Sequence, residues 1–184
     1  LCSVELNEGL TALGKNMFED CVSLKKIDLP SSLTFMGTYT FRNSGLTEIT
    51  IPSGVKKFRS TATASASTSN KINLFEGCVD LAKVTFPEDF EEIGGYTFKD
   101  CTSLRSVDLP DSIKLIGHYA FQNTGLTEVV LPSGLTGKYL GTGVFTNCAS
   151  LKSADLSKVS TSVSFGSSYA NKLFDGCTAL EEGT

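Results

Sequence analysis

A chain of 184 residues with 40% apolar side chains is long enough to fold around a continuous core. Its net charge of −4 and pI near 5.0 leave no basic surface for phosphates, which argues against nucleic acid and anionic membranes as partners. No apolar run approaches the ~20 residues of a membrane-spanning helix, so no membrane insertion is expected of this segment.

Taken in order, the chain repeats itself. The pattern Leu-x-x-Ile/Val-x-Leu begins at Leu1, Leu24, Leu46, Leu81, Leu104, Leu126, Leu151 and Leu180, in steps of 23, 22, 35, 23, 22, 25 and 29 residues. A period of 22 to 23 residues is therefore extended in three turns. All five prolines, Pro30, Pro52, Pro87, Pro110 and Pro132, directly follow the last apolar residue of that pattern. In one unit, Leu24, Ile27 and Leu29 point inward around a short strand while Lys26 and Asp28 face out. Pro30, lacking an N–H, ends the strand. Leu33, Met36 and Phe41 return to the interior, and Gly37, with counterparts Gly14, Gly94 and Gly117, is expected at a corner whose backbone geometry opposes a Cβ.

A second signature, Phe-x-x-Cys, recurs at Phe18/Cys21, Phe75/Cys78, Phe98/Cys101, Phe145/Cys148 and Phe174/Cys177. In two turns Ser44 and Thr124 take the place of the cysteine, and Gly45 and Gly125 after them are expected to tighten the corner. Residues 15 to 55 match residues 95 to 135 at 20 of 41 positions, so part of the array is an internal duplication. The Ser/Thr/Ala segment at 60 to 69 offers little core area and is expected to form a protruding loop or edge ribbon within an insertion at 59 to 73. Alternating Val159, Thr161, Val163 and Phe165 read as an extra strand. Both ends read as cut within the array, so residues 1–184 are expected to form a single repeat domain of about seven turns, a fragment of a longer protein. Its exposed terminal turns offer a route to homo-oligomers.

These residues carry a resemblance. The form Ile-Gly-x-Tyr-x-Phe-x-x-Cys-x-x-Leu-x-x-Val-x-Leu-Pro resembles the BspA-like (TpLRR-type) leucine-rich repeats, over essentially the whole chain. The resemblance implies a leucine-rich-repeat solenoid: a right-handed superhelix with a parallel β-sheet on its concave side and short strands, 3-10 turns and loops elsewhere. It also implies an extracellular or cell-surface protein of adhesion, binding host or neighbouring-cell proteins such as matrix components.

Side chains suited to catalysis or metal binding are few. Cys21, Cys78, Cys101, Cys148 and Cys177 form an interior column, read as buried free thiols; zinc sites need Cys or His pairs at short spacing, and the chain has a single histidine. That residue, His118, lies in a variable column and reads as a surface histidine with no nucleophile at a supporting spacing, so neither an enzyme nor a cofactor is expected. Tyr39, Tyr96 and Tyr119 share a column read as cover for the outer wall. Cys2 falls in the column of Lys25 and reads as solvent-facing or as shielded by a missing turn.

The functional expectation rests on the strand's outward positions. Lys25, Arg105 and Lys152 fall in one row and Asp28, Asp108 and Asp155 in another, with Lys26, Glu48, Lys83 and Glu128 between them. Segregated charge rows on one sheet face are expected to recognise a protein by electrostatic complementarity. The alternatives are a merely solvated face, or a structural spacer that self-associates without a specific ligand.

Overall fold

The computed structural model describes residues 3–59, 70–135, 140–159 and 172–181. Its strands are very short: β1 (Ala12–Leu13), β2 (Phe35–Met36), β3 (Glu48–Thr50), β4 (Lys83–Thr85), β5 (Glu92–Ile93), β6 (Leu115–Ile116), β7 (Glu128–Val130) and β8 (Ser153–Asp155). They pair in parallel as β1–β2, β3–β4, β5–β6 and β7–β8, always with a strand of the next turn. The chain is thus a solenoid.

Two walls carry these pairs. The wall predicted from Leu-x-x-Ile holds β3, β4, β7 and β8, whose buried centres Ile49, Val84, Val129 and Ala154 are flanked by exposed residues, except for half-buried Ser153. A second wall holds β1, β2, β5 and β6, extended by bridges Lys57 to Glu92 and Ile116 to Leu140. The continuous sheet expected on the first wall is interrupted. At Leu24–Leu29 and Leu104–Leu109 no strand forms, and backbone bonds to the next turn run there from Thr47 N–H to Lys25 O and from Thr127 N–H to Arg105 O. The spacing keeps every strand of this wall short. Leu24 and Ile27, like Leu46 and Ile49, both point inward three residues apart, which a pleat of period two cannot do, so the backbone bends between them and leaves only a three-residue frame before the proline.

The third side is built on phenylalanine. Phe18, Phe41, Phe75, Phe98, Phe121, Phe145 and Phe174 stack face to face with centroids 5.2 to 5.6 Å apart. The 5.5 Å step from Phe41 to Phe75 shows that the 35-residue interval is a single turn with added length. Each Phe N–H from Phe18 to Phe145 donates to the carbonyl of the residue just before the next Phe, so aromatic stacking and backbone register enforce each other. Stacked pairs of this kind contribute about 0.5–1.5 kcal/mol each beyond area burial.

Two columns flank the phenylalanines in left-handed backbone. Two residues after each Phe stand Asp20, Asn43, Gly77, Asp100, Asn123, Asn147 and Gly176, with φ from 55° to 75°, all residue types that tolerate this region. Two residues before it stand Asn16, Tyr39, Asn73, Tyr96, Tyr119 and Gly143, with φ from 52° to 63°. These paired kinks turn the chain round the corner, where the resemblance implied 3-10 turns.

The glycines have another cause than the one expected. None of Gly37, Gly45, Gly94, Gly117 and Gly125 lies in left-handed backbone; a Cβ there would instead strike the preceding turn, at Lys15 N (2.7 Å) for Gly37 and at Val22 O for Gly45. Gly14 has open space, because the clash needs a turn packed on that side. In the two shortened corners Asn43 and Asn123 supply the left-handed residue. Residues 60–69 lie outside the described ones, but both ends of that insertion are anchored on one turn, by the Arg59–Glu92 ion pair and the Lys71–Gly95 bridge. Of the strand expected at 159–165 only Val159 is described, and Cys2 lies outside too.

Candidate functional site

The first wall presents every side chain expected to bind. Lys25, Lys26, Asp28, Glu48, Lys83, Arg105, Asp108, Glu128, Lys152 and Asp155 are all exposed, held over a floor of buried Ile27, Ile49, Val84, Val129 and Ala154. The register places Glu48 beside Lys83 and Glu128 beside Ser153. Rigid backbone therefore fixes the order of charges across the wall.

Segregation into basic and acidic rows holds for only part of the wall. In the first half Lys25 reaches Asp80 at 2.8 Å, Lys26 lies 3.6 Å from Asp28, and the middle row alternates as Lys26, Glu48, Lys83. Local pairing cancels charge that row-by-row reading counted as free, since Asp80 belongs to the loop before the strand. In the second half Arg105 and Lys152 stand on one edge, Asp108 and Asp155 on the other, and no ion pair joins these four to a described residue. Ser157 holds the Asp155 pKa below the usual carboxylate range, first through its side-chain hydroxyl and then through its backbone N–H, which the carboxylate accepts at 2.8 Å.

Hollows lie along the wall. One of about 430 Å³ is bounded by Lys26, Asp28, Glu48, Lys83 and Pro52, where the sheet is interrupted. Another, of about 680 Å³ and more apolar, follows β7 and β8 past Val130 and Leu156. Such open, shallow hollows suit a polypeptide better than an enclosed small molecule.

A family model of the BspA-type leucine-rich repeat region matches residues 1–76 and 68–182, as six copies. The chain belongs to the BspA-type leucine-rich repeat family. Among solved structures it is similar to a leucine-rich repeat protein from Bacteroides ovatus, at 26% identity and TM-score 0.63, covering 96% of this chain and 47% of that one. It is also similar in fold to the leucine-rich repeat protein of T. pallidum, at 23% identity and TM-score 0.57, covering 93% of this chain and 61% of that one. The chain thus spans about half to three fifths of the length of these solved relatives. No curated protein matches.

BspA-type repeats are scaffolds of the protein-interaction kind, and the remaining side chains of this one read as architecture. The cysteine column is interior: Cys78, Cys101 and Cys148 are buried, Cys21 and Cys177 half-buried, and all five are free thiols. Cys78, Cys101, Cys148 and Cys177 donate to the carbonyls of Phe41, Phe75, Phe121 and Phe145 one turn back, at 3.0 to 3.1 Å. Ser44 and Thr124 fit the same column, their hydroxyls 3.4 and 3.2 Å from the next thiol. Among the described residues no group of three or more His, Cys, Asp and Glu is placed to hold a metal ion. Among the described residues no helix is long and apolar enough to cross a membrane.

His118 is half-buried rather than on the open surface. Its Nδ1 accepts the Thr142 N–H at 2.6 Å, which places the ring proton on Nε2, and burial lowers its pKa. The variable column expected outside is covered by the following turn. Tyr96 and Tyr119 do cover the outer wall, rings 5.3 Å apart, and Lys71 lies 5.5 Å over Tyr96.

One charged cluster escaped the sequence reading. Glu91 pairs with Lys57 at 2.7 Å and Lys114 at 2.9 Å, while buried Glu92 accepts from Arg59 and lies 3.5 Å from Lys57. The two lysines hold the Glu91 carboxyl down at about 2. Partners 33 residues apart reveal no local motif, and the insertion between them shifts the columns.

Proposed function

We propose that this chain is a non-enzymatic protein-binding module, displayed at a cell surface or secreted, that holds a protein of a host or neighbouring cell against its first wall. One observation carries the reading: ten charged side chains stand exposed in fixed order on one face of a core stapled by stacked phenylalanines. A fixed charge pattern with hollows between the turns selects a partner and raises its on-rate. Placement outside the cell rests on the resemblance to surface proteins; free thiols suit either compartment.

The test is binding to a panel of extracellular-matrix and cell-surface proteins, at low and physiological salt, beside the triple variant Asp28→Lys, Asp108→Lys, Asp155→Lys. A partner of the parent whose affinity falls about tenfold in the variant, about 1.4 kcal/mol, supports the reading. Binding indifferent to the reversal, or a mass that grows with concentration and no partner, overturns it in favour of a self-associating spacer.

A further inference from the structure

The internal duplication supplies its own control. Lys25 and Arg105 are equivalent residues, and each side chain passes over the glycine of a shortened corner: Lys25 Nζ lies 3.2 Å from the Cβ position of Gly45, and Arg105 Cδ 3.4 Å from that of Gly125. Beyond Gly45, Lys25 meets Asp80, the residue before Leu81. Beyond Gly125, the residue before Leu151 is Ser150. The same reach therefore ends in an ion pair in one half and without a carboxylate in the other.

The other rows diverge in the same sense. Lys26, Glu48 and Lys83 alternate in sign along the middle of the first half, where the second half has Ser106, Glu128 and Ser153. Arg105 and Lys152 thus form a cationic edge and Asp108 and Asp155 an anionic one. Between the two aspartates, one turn from each, Val130 is 44% exposed beside the more apolar hollow. Three charges lie close to this strip: Glu128 in its centre, Glu181 following Lys152 in the cationic row, and Lys158, which is paired with Asp111 at 3.3 Å.

Side chains two positions apart on an extended peptide face the same side. We infer that the second half of the wall, at residues 105–108, 127–130 and 152–155, docks an extended peptide segment of a partner protein that carries an acidic and a basic side chain two positions apart, both turned to the wall. The acid meets the edge of Arg105 and Lys152, the base meets that of Asp108 and Asp155, and the methylene stem of the base covers Val130. This inference rests on the receptor reading above and narrows it to one half and one peptide chemistry.

The test is selection of a displayed random 12-residue peptide library on the full chain, followed by binding of the enriched peptides to two variants. Ser150→Asp gives Arg105 the carboxylate that Lys25 already has, at a half-exposed site, and an unchanged thermal unfolding midpoint shows that the variant keeps the fold. Lys26→Glu/Lys83→Glu alters only the first half. Expected are peptides with acid and base two apart, whose affinity falls about tenfold in Ser150→Asp and stays within about twofold in Lys26→Glu/Lys83→Glu. Enriched peptides that respond only to the first-half variant overturn this inference and leave the receptor reading standing. No enrichment above an unrelated control protein, or peptides indifferent to both variants and to the triple aspartate reversal, overturns both.

Discussion

The Cys101 thiol donates to the carbonyl oxygen of Phe75 across 3.1 Å, one turn back along the coil. The bond satisfies a weak donor in an apolar interior and ties each turn to its neighbour at the foot of the phenylalanine stack. Burial pushes the Cys78 thiol up to about 11 and the Cys101 thiol well above its ordinary value, and only a thiolate attacks an alkylating agent. At pH 8 the native chain should leave Cys78 and Cys101 unlabelled by iodoacetamide, and denaturant should expose both. Mass spectrometry of the labelled peptides reads the outcome; rapid native labelling of Cys101 contradicts the interior column. Cys101→Ala should cost about 1–2 kcal/mol, from a small cavity and the lost bond.

The corner glycines separate contact from conformation. A Cβ on Gly45 points at the Val22 carbonyl oxygen and one on Gly37 at the Lys15 backbone nitrogen, whereas Gly14 has nothing within 4 Å. Backbone cannot swing aside as a side-chain tip can. Gly45→Ala and Gly37→Ala should each destabilise by about 2–3 kcal/mol, and Gly14→Ala should stay within about 0.5 kcal/mol. Urea unfolding of the three variants decides it, and equal effects would return the cause to backbone conformation.

How much of this was written in the sequence depends on whether a feature repeats by column. Phe-x-x-Cys and the strand prolines recur at one spacing, so the core, the period and the interior cysteines were legible. The outward charges were legible as exposed because Lys26 and Asp28 flank inward Ile27. Their pairing was not, since Asp80 meets Lys25 across a turn that is short by one residue. Glu91 and Glu92 were invisible as a cluster because their partners come from turns before and after. The left-handed backbone of Tyr39, Tyr96 and Tyr119 left no sequence signal, because tyrosine ordinarily avoids it; only Asn16, Asn73 and Gly143 in that column hint at it.

Two residues after each Phe the same logic becomes a test. Asp100 has φ 64°, and its Oδ1 accepts the Asn123 side-chain N–H at 2.8 Å. Asparagine keeps both the acceptor and the tolerance for left-handed backbone, and alanine keeps neither. Asp100→Asn should lie within about 0.5 kcal/mol of the parent, while Asp100→Ala should lose about 1–2 kcal/mol. Thermal unfolding of the pair checks this, and an alanine variant as stable as the asparagine one would contradict the columnar turn.

The last prediction concerns acid. The Glu91 carboxyl is held at about 2 by hydrogen bonds first from Lys57 and then from Lys114, against an ordinary value of 4.5. A carboxyl whose pKa is lower in the folded chain binds its proton less readily there than when unfolded. Its contribution is therefore complete above pH 4.5 and is lost as the pH falls toward 2. Glu91 is 28% exposed, so solvent screening reduces that contribution to about 1–2 kcal/mol. Glu91→Gln removes the titration, and its stability curve should fall less steeply than the parent's between pH 4.5 and 2 and lie below it at pH 7. Parallel curves would show that Lys57 and Lys114 do not hold the carboxylate. Because Lys57 also approaches buried Glu92, Lys57→Met should flatten the same limb and additionally loosen the stem at Arg59, read as faster proteolysis next to the insertion.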